Sequence, residues 1–142
     1  MQGLNKGPIL VAGASGGIGG ATVRHLVDAG ADVIASGRNT DALDALSQET
    51  GCRTLPFDLT DEDSVKGALH WLDLYGVVNC GGFGGEIATP METDISVFDK
   101  VMSINARGAL LVTKYASQSM IRLGKGGAIV NVSSLAGLVA LK

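Results

Sequence analysis

The strongest constraint on this chain is an alternation. Apolar runs at residues 8–12, 31–35, 53–57, 75–79 and 128–132 are separated by stretches with helical periodicity. Runs of this kind suit strands buried on both faces, and helices between them supply the crossovers that parallel strands need. The first helix is expected to run from the glycine cluster to Ala29, with Ile18, Thr22, Leu26 and Ala29 on its inner face and Gly30 closing it. A second is expected over residues 40–50, stopped by Gly51, and a third from Thr60 onward, carrying Val65, Leu69 and Leu72. The fourth and longest, about residues 96–123, has a stripe of Phe98, Val101, Met102, Ala109, Val112, Ala116 and Met120. Right-handed crossovers with one reversal of winding then give an α/β fold, a doubly wound parallel sheet in the order 3-2-1-4-5. Ligands of such sheets bind beyond the carboxyl ends of the strands, so the motifs are to be sought there.

The 142 residues suit one domain, 1–142, with a real core. A hydrophobic share of 46% against 18% charged excludes a disordered chain. The net charge of -3, with scattered lysines and arginines, offers no footprint for nucleic acid. Cys52 and Cys80 have no redox or metal spacing and read as small hydrophobes, and His25 and His70 lack partner ligands, so no metal is expected. No run is long enough to span a membrane, and residues 1–6 lack the layout of a signal peptide, so the expected location is cytoplasmic.

After the first strand comes "GASGGIGG", residues 13–20, in which Gly13, Gly17 and Gly19 are spaced G-x-x-x-G-x-G at a strand-to-helix junction. Glycines there let the chain turn tightly and let a pyrophosphate approach the backbone, while the helix N-terminus offers oriented N–H groups. The pattern points to a dinucleotide site, with a purely structural turn as the alternative. A site for NAD usually places an acid about 20 residues further on, to hold the ribose hydroxyls. Here the second strand ends in "ASGRN", with Arg38 and no carboxylate. An arginine pairs with the 2′-phosphate that a carboxylate would repel, so NADP is expected ahead of NAD. A solvated loop arginine is the other reading.

Taken together, "GASGGIG", Asp58 in "FDLT", "NCGG" at 79–82, Asn105 in "INARG" and "IVNVSS" at 129–134 resemble the short-chain dehydrogenase/reductase family, in its order and spacing. Ala12 stands where that family usually has threonine, and Cys80-Gly81 replace its common Asn-Ala. The resemblance implies a Rossmann fold that binds NAD(P), incomplete relative to the family. It implies cofactor contacts from Gly13, Ser15, Gly17, Ile18 and Gly19. It also puts Asp58 and Leu59 at the adenine, and Asn79 and Gly81 at the corner beside the ribose. Asp58 also reads as a helix-start acid before "TDED". Asn105 falls on the apolar stripe of the fourth helix, where a buried amide needs partners. It is either bonded to nearby backbone or, as in the family, the holder of a helix irregularity and of a water that leads to the catalytic lysine.

The same resemblance makes Ser134 the catalytic serine, with Ser133 the second choice. Its hydroxyl would hydrogen-bond the substrate oxygen as charge develops there. No Gly-x-Ser-x-Gly elbow surrounds it, which speaks against a hydrolase. The family's proton donor is the tyrosine of Tyr-x-x-x-Lys, downstream of the serine. Here Tyr75 and Tyr115 precede Ser134 and are followed four residues later by Asn79 and Ser119, and Lys142 has no tyrosine at that spacing. The expectation is therefore the N-terminal part of a longer NADP-dependent reductase, acting on a small carbonyl or alcohol and assembling as a homodimer or homotetramer. The isolated chain is expected to be inactive and its fifth strand to lie at a sheet edge. A non-catalytic dinucleotide-binding or regulatory protein is the alternative. The loop at 83–91 is expected to shape one pocket wall.

Overall fold

A computed structural model of the chain describes residue 4 and residues 6–124 and 126–139; Lys142 lies outside the described residues. Five strands, β1 (Ile9–Ala12), β2 (Val33–Ser36), β3 (Arg53–Thr54), β4 (Gly76–Asn79) and β5 (Ala128–Asn131), form one sheet in the order β3-β2-β1-β4-β5. Every pairing is parallel: Ile9 faces Val33 on one side and Gly76 on the other, and Gly76 faces Ala128. This is the doubly wound order expected from the alternation, with β5 paired, among the described residues, only to β4 and most of its residues exposed.

Helices cover both faces. On one, α1 (Gly17–Asp28) and α2 (Thr40–Thr50) enclose Val11, Val23, Val33, Leu43 and Leu46. On the other, α3 (Glu62–Leu69) and α5 (Ala109–Leu123) enclose Leu10, Ile34, Val65, Leu69, Val77, Val112 and Met120. The residues of β1 and β2 are all buried, as strands sandwiched between helix layers must be.

Three expectations need correction. The fully buried residues of α1 are Gly19, Gly20 and Val23, and Leu26, as expected, packs against that core along with Val27, while Ile18 is 63% exposed. The reason is steric: a Cβ on Gly19 would collide with the carbonyl of Gly13, so the helix start rides on bare backbone and turns Ile18 outward. The third apolar run narrows to the two residues of β3. The long fourth helix is three pieces, α4 (Ile95–Met102), a π segment (Ser103–Gly108) and α5. Nothing on α4 is buried, so Phe98 and Met102 of the expected stripe face outward, whereas Val112, Ala116 and Met120 lie in the core.

Candidate functional site

β1 and β4 are neighbours although the chain visits β2 and β3 between them, so their connections leave in opposite directions and open a crevice above their carboxyl ends. A cleft of about 320 Å³ lies there. Its walls are Gly13, Ser15 and Gly16 after β1, Gly37 and Arg38 after β2, residues 57–60 after β3, and residues 80–83 after β4.

Gly13 has φ +76°, and a Cβ on it would lie 2.7 Å from the Gly81 nitrogen. Only glycine allows the two loops to meet this closely. Among the described residues no side chain caps α1, whose N-cap is Gly16, so its first turn presents N–H groups and the positive end of the helix dipole.

Ser36 closes β2. Its carbonyl accepts from the Ala14 N–H at 2.8 Å, which ties the glycine loop to the second strand. Its hydroxyl is buried, has no hydrogen-bond partner among the described residues, and belongs to a residue that lines the cleft. A buried polar group left unsatisfied costs about 1–3 kcal/mol, a cost removed when a polar ligand atom lies against it. The uncapped helix start and the glycine close approach fit the pyrophosphate of a dinucleotide, and the orphaned hydroxyl fits a polar ligand nearby.

Asp58 accepts from the Thr60 N–H at 2.9 Å and from its hydroxyl at 2.8 Å. The Thr60 N–H, with the hydroxyl and the charge of Arg38 adding to it, holds the Asp58 carboxyl below its usual value against an opposing effect of partial burial. The Leu59 side chain wedges beside Gly81 and Gly108, where a Cβ at either position would overlap it. Arg107 of the π segment donates to the Thr60 carbonyl, so the kinked helix braces this wall.

Asn105 sits within the π segment. It is exposed, not buried as its place on the stripe suggested, because the π turn rotates it off the core face. Both ends of its amide are nonetheless used: Oδ1 accepts from the Phe83 N–H at 2.8 Å and Nδ2 donates to the Phe83 carbonyl at 2.9 Å. This pair clamps Phe83, the start of the 83–91 loop, in the cleft wall. Ser134 follows β5 and is exposed. Its hydroxyl oxygen accepts from the Ala136 N–H at 3.2 Å, a bond that does not use the O–H hydrogen.

The family model for short chain dehydrogenases matches residues 8–142. The chain belongs to the short chain dehydrogenase family. It is 33% identical over 132 residues to (+)-cis,cis-nepetalactol synthase of Nepeta racemosa, covering 85% of this chain and 48% of that protein. It is 34% identical over 138 residues to serine 3-dehydrogenase of Agrobacterium fabrum, covering 92% and 55%. A short-chain type dehydrogenase/reductase of Mycobacterium ulcerans has the same fold, with a TM-score of 0.90 at 32% identity over 96% of this chain and 54% of the other. The chain thus spans about half the length of the curated relatives it matches.

Of the family positions named from the sequence, the cleft brings together Gly13, Ser15, Arg38, Asp58, Leu59 and Gly81. Gly17 and Ile18 stand outside it on the first turn of α1, Gly19 is buried beneath the loop, and Asn79 is buried behind the Gly81 corner. Lys100 and Ile104 also line the cleft, and Lys100 Nζ lies 4.6 Å from the centre of the Phe83 ring. Neither was named from the sequence: both belong to a helix whose register is broken by the π segment. Cys52 is buried as expected, but Cys80 is half-buried, its thiol 4.0 Å from the Thr22 hydroxyl.

Because the Asp58 carboxyl is depressed in the fold, its interactions stabilise the protein above the ordinary carboxylate pKa of about 4 and are lost as pH falls through the lower folded value. The thermal midpoint is expected to drop on acidification below about pH 4, and D58N is expected to flatten that drop. Melting curves across pH check this; an unchanged acid slope in D58N would show that Asp58 has no part in it.

Proposed function

We propose that this short chain dehydrogenase is an NADP-dependent oxidoreductase that transfers a hydride between the nicotinamide and a carbonyl or alcohol substrate. The supporting observation is a cleft whose second-strand corner carries Arg38 and no carboxylate, and whose lining includes Ser36, its buried hydroxyl without a partner among the described residues. Gly13, Ser15, Gly17, Ile18 and Gly19, with the uncapped start of α1, would hold the pyrophosphate. Arg38 would hold the 2′-phosphate. Asp58 and Leu59 would flank the adenine, and Asn79 and Gly81 would form the ribose corner. The cofactor, when bound, supplies or receives the hydride.

Ser134, with its O–H hydrogen outside the Ala136 bond, would donate to the substrate oxygen, and Asn105 would keep the Phe83 wall in place. The named relatives include a synthase as well as a dehydrogenase, so the substrate is assigned only as a small carbonyl or alcohol. Assembly through the exposed apolar faces of α4 and α5, where Phe98, Met102 and Leu110 lie, belongs to the same proposal. Sedimentation as a monomer would remove it.

The proton-donating Tyr-x-x-x-Lys implied by the resemblance does not occur in residues 1–142. NADPH oxidation against a panel of carbonyls is expected to be negligible for this chain and robust for a product of the same coding sequence that includes the motif. A stop codon directly after Lys142, together with tight NADPH binding, would overturn the oxidoreductase reading in favour of a dinucleotide-binding protein.

A further inference from the structure

Gly81 lines the cleft, and its backbone N–H points back to Asn79 Oδ1 at 3.2 Å. An N–H can only donate, so Asn79 must turn its oxygen to Gly81 and its amino group away. Asn79 is 4% exposed, so that amino group needs an acceptor. The acceptor is Asn131 Oδ1, at 3.1 Å on the neighbouring strand. Asn131 in turn directs its own amino group at Thr113 Oγ1 of α5, 3.4 Å away. The backbone fixes the two asparagines opposite each other: they are register partners in the β4–β5 pair, and the Val132 N–H donates to the Asn79 carbonyl at 2.9 Å. The result is a directional relay, Gly81 to Asn79 to Asn131, in which each amide's orientation is dictated by the one before it.

We propose that Asn131 is a positioning residue for the cofactor corner: by accepting from Asn79 it selects the orientation of the Asn79 amide that holds the Gly81 N–H, and so sets the wall of the cleft. This deepens the dinucleotide reading and rests on it for its binding consequence. Without the acceptor, a buried amino group is left unpaired, and the Asn79 amide gains by rotating toward other partners. Rotation would set an N–H₂ group against the Gly81 N–H and push the corner away from Gly13, whose backbone it closely approaches. Asn131 itself is exposed, so changing it removes the hydrogen bond without opening a hole in the core.

The test compares Asn131→Leu with Asn131→Asp, which keeps an acceptor at the same place. In the cofactor-free chain, the Gly81 amide resonance is expected to move and its hydrogen exchange to quicken at least about tenfold in the leucine variant and to stay near wild type in the aspartate variant. NADPH binding, followed by fluorescence, is expected to weaken about tenfold for leucine and less than threefold for aspartate. In an Asn79→Ala background the leucine change is expected to add no further loss, because Asn131 acts through Asn79. A Gly81 amide unmoved by leucine, equal losses for both variants, or additive losses in the double variant would each overturn the assignment. Should the wild-type chain bind no NADPH, the dinucleotide reading fails, while the Gly81 amide still decides whether Asn131 positions the corner.

Discussion

Gly13→Ala is expected to abolish measurable dinucleotide binding, raising the NADPH dissociation constant on the order of 100-fold or more, equivalent to about 2.7 kcal/mol. Two independent penalties converge on this position. Its φ of +76° is a conformation that an alanine adopts only with strain, at a cost of about 1–2 kcal/mol. The added Cβ would also lie 2.7 Å from the Gly81 nitrogen and 2.8 Å from the Cys80 carbonyl carbon, both backbone atoms that no rotamer change can move. Relief requires the two loops to separate, and these loops are opposite walls of the cleft. Substitution at Gly67, in α3 and outside the cleft lining, meets no such obstacle, since nothing lies within 4 Å of a Cβ there, so G67A is expected to fold and bind normally and serves as the control. Fluorescence titration with NADPH, alongside thermal melting, checks the pair; a G13A affinity within threefold of wild type would contradict the geometry.

The second large effect is selective. Arg38→Leu is expected to weaken NADPH binding by about 10- to 100-fold, the loss of a charge-assisted hydrogen bond of about 1.5–3 kcal/mol, and to leave NADH binding unchanged. Arg38 lines the cleft next to the buried Ser36 hydroxyl, and its charge is felt by Asp58 across that cleft. The effect should shrink as ionic strength rises, because the side chain is exposed and its field is screened. Parallel titrations with both cofactors at two salt concentrations provide the check. Equal losses for NADPH and NADH would mean that the arginine serves the loop rather than the phosphate.

How much of this could be read from the sequence depended on whether the signal was local. The bounds of α2 were legible because its stop signals are its own: Asn39 accepts from the Ala42 N–H at 3.1 Å, and Gly51 ends the helix at φ +74°. The sheet order followed from alternation and handedness alone. The inner face of α1 was legible only in part, because periodicity counts apolar side chains and cannot weigh a helix that packs on glycine backbone. The π segment was invisible to periodicity, since one extra residue per turn shifts the stripe without changing its composition; only the family resemblance, which makes Asn105 the holder of a helix irregularity, pointed to it. Within the site, the glycine loop, Arg38 and Asp58 were named from motif and position. The orphaned hydroxyl of Ser36 could not be, since lacking a partner is a property of the fold and not of a serine. Lys100 reaches the cleft only through the three-dimensional path of α4.

The most direct test of the account is a calorimetric titration of the 142-residue chain with NADPH and with NADH at matched ionic strength. Tighter binding of NADPH by at least about tenfold is the predicted result, as a charge-assisted contact to the 2′-phosphate requires. Equal affinity, tighter NADH, or no binding of either would contradict it.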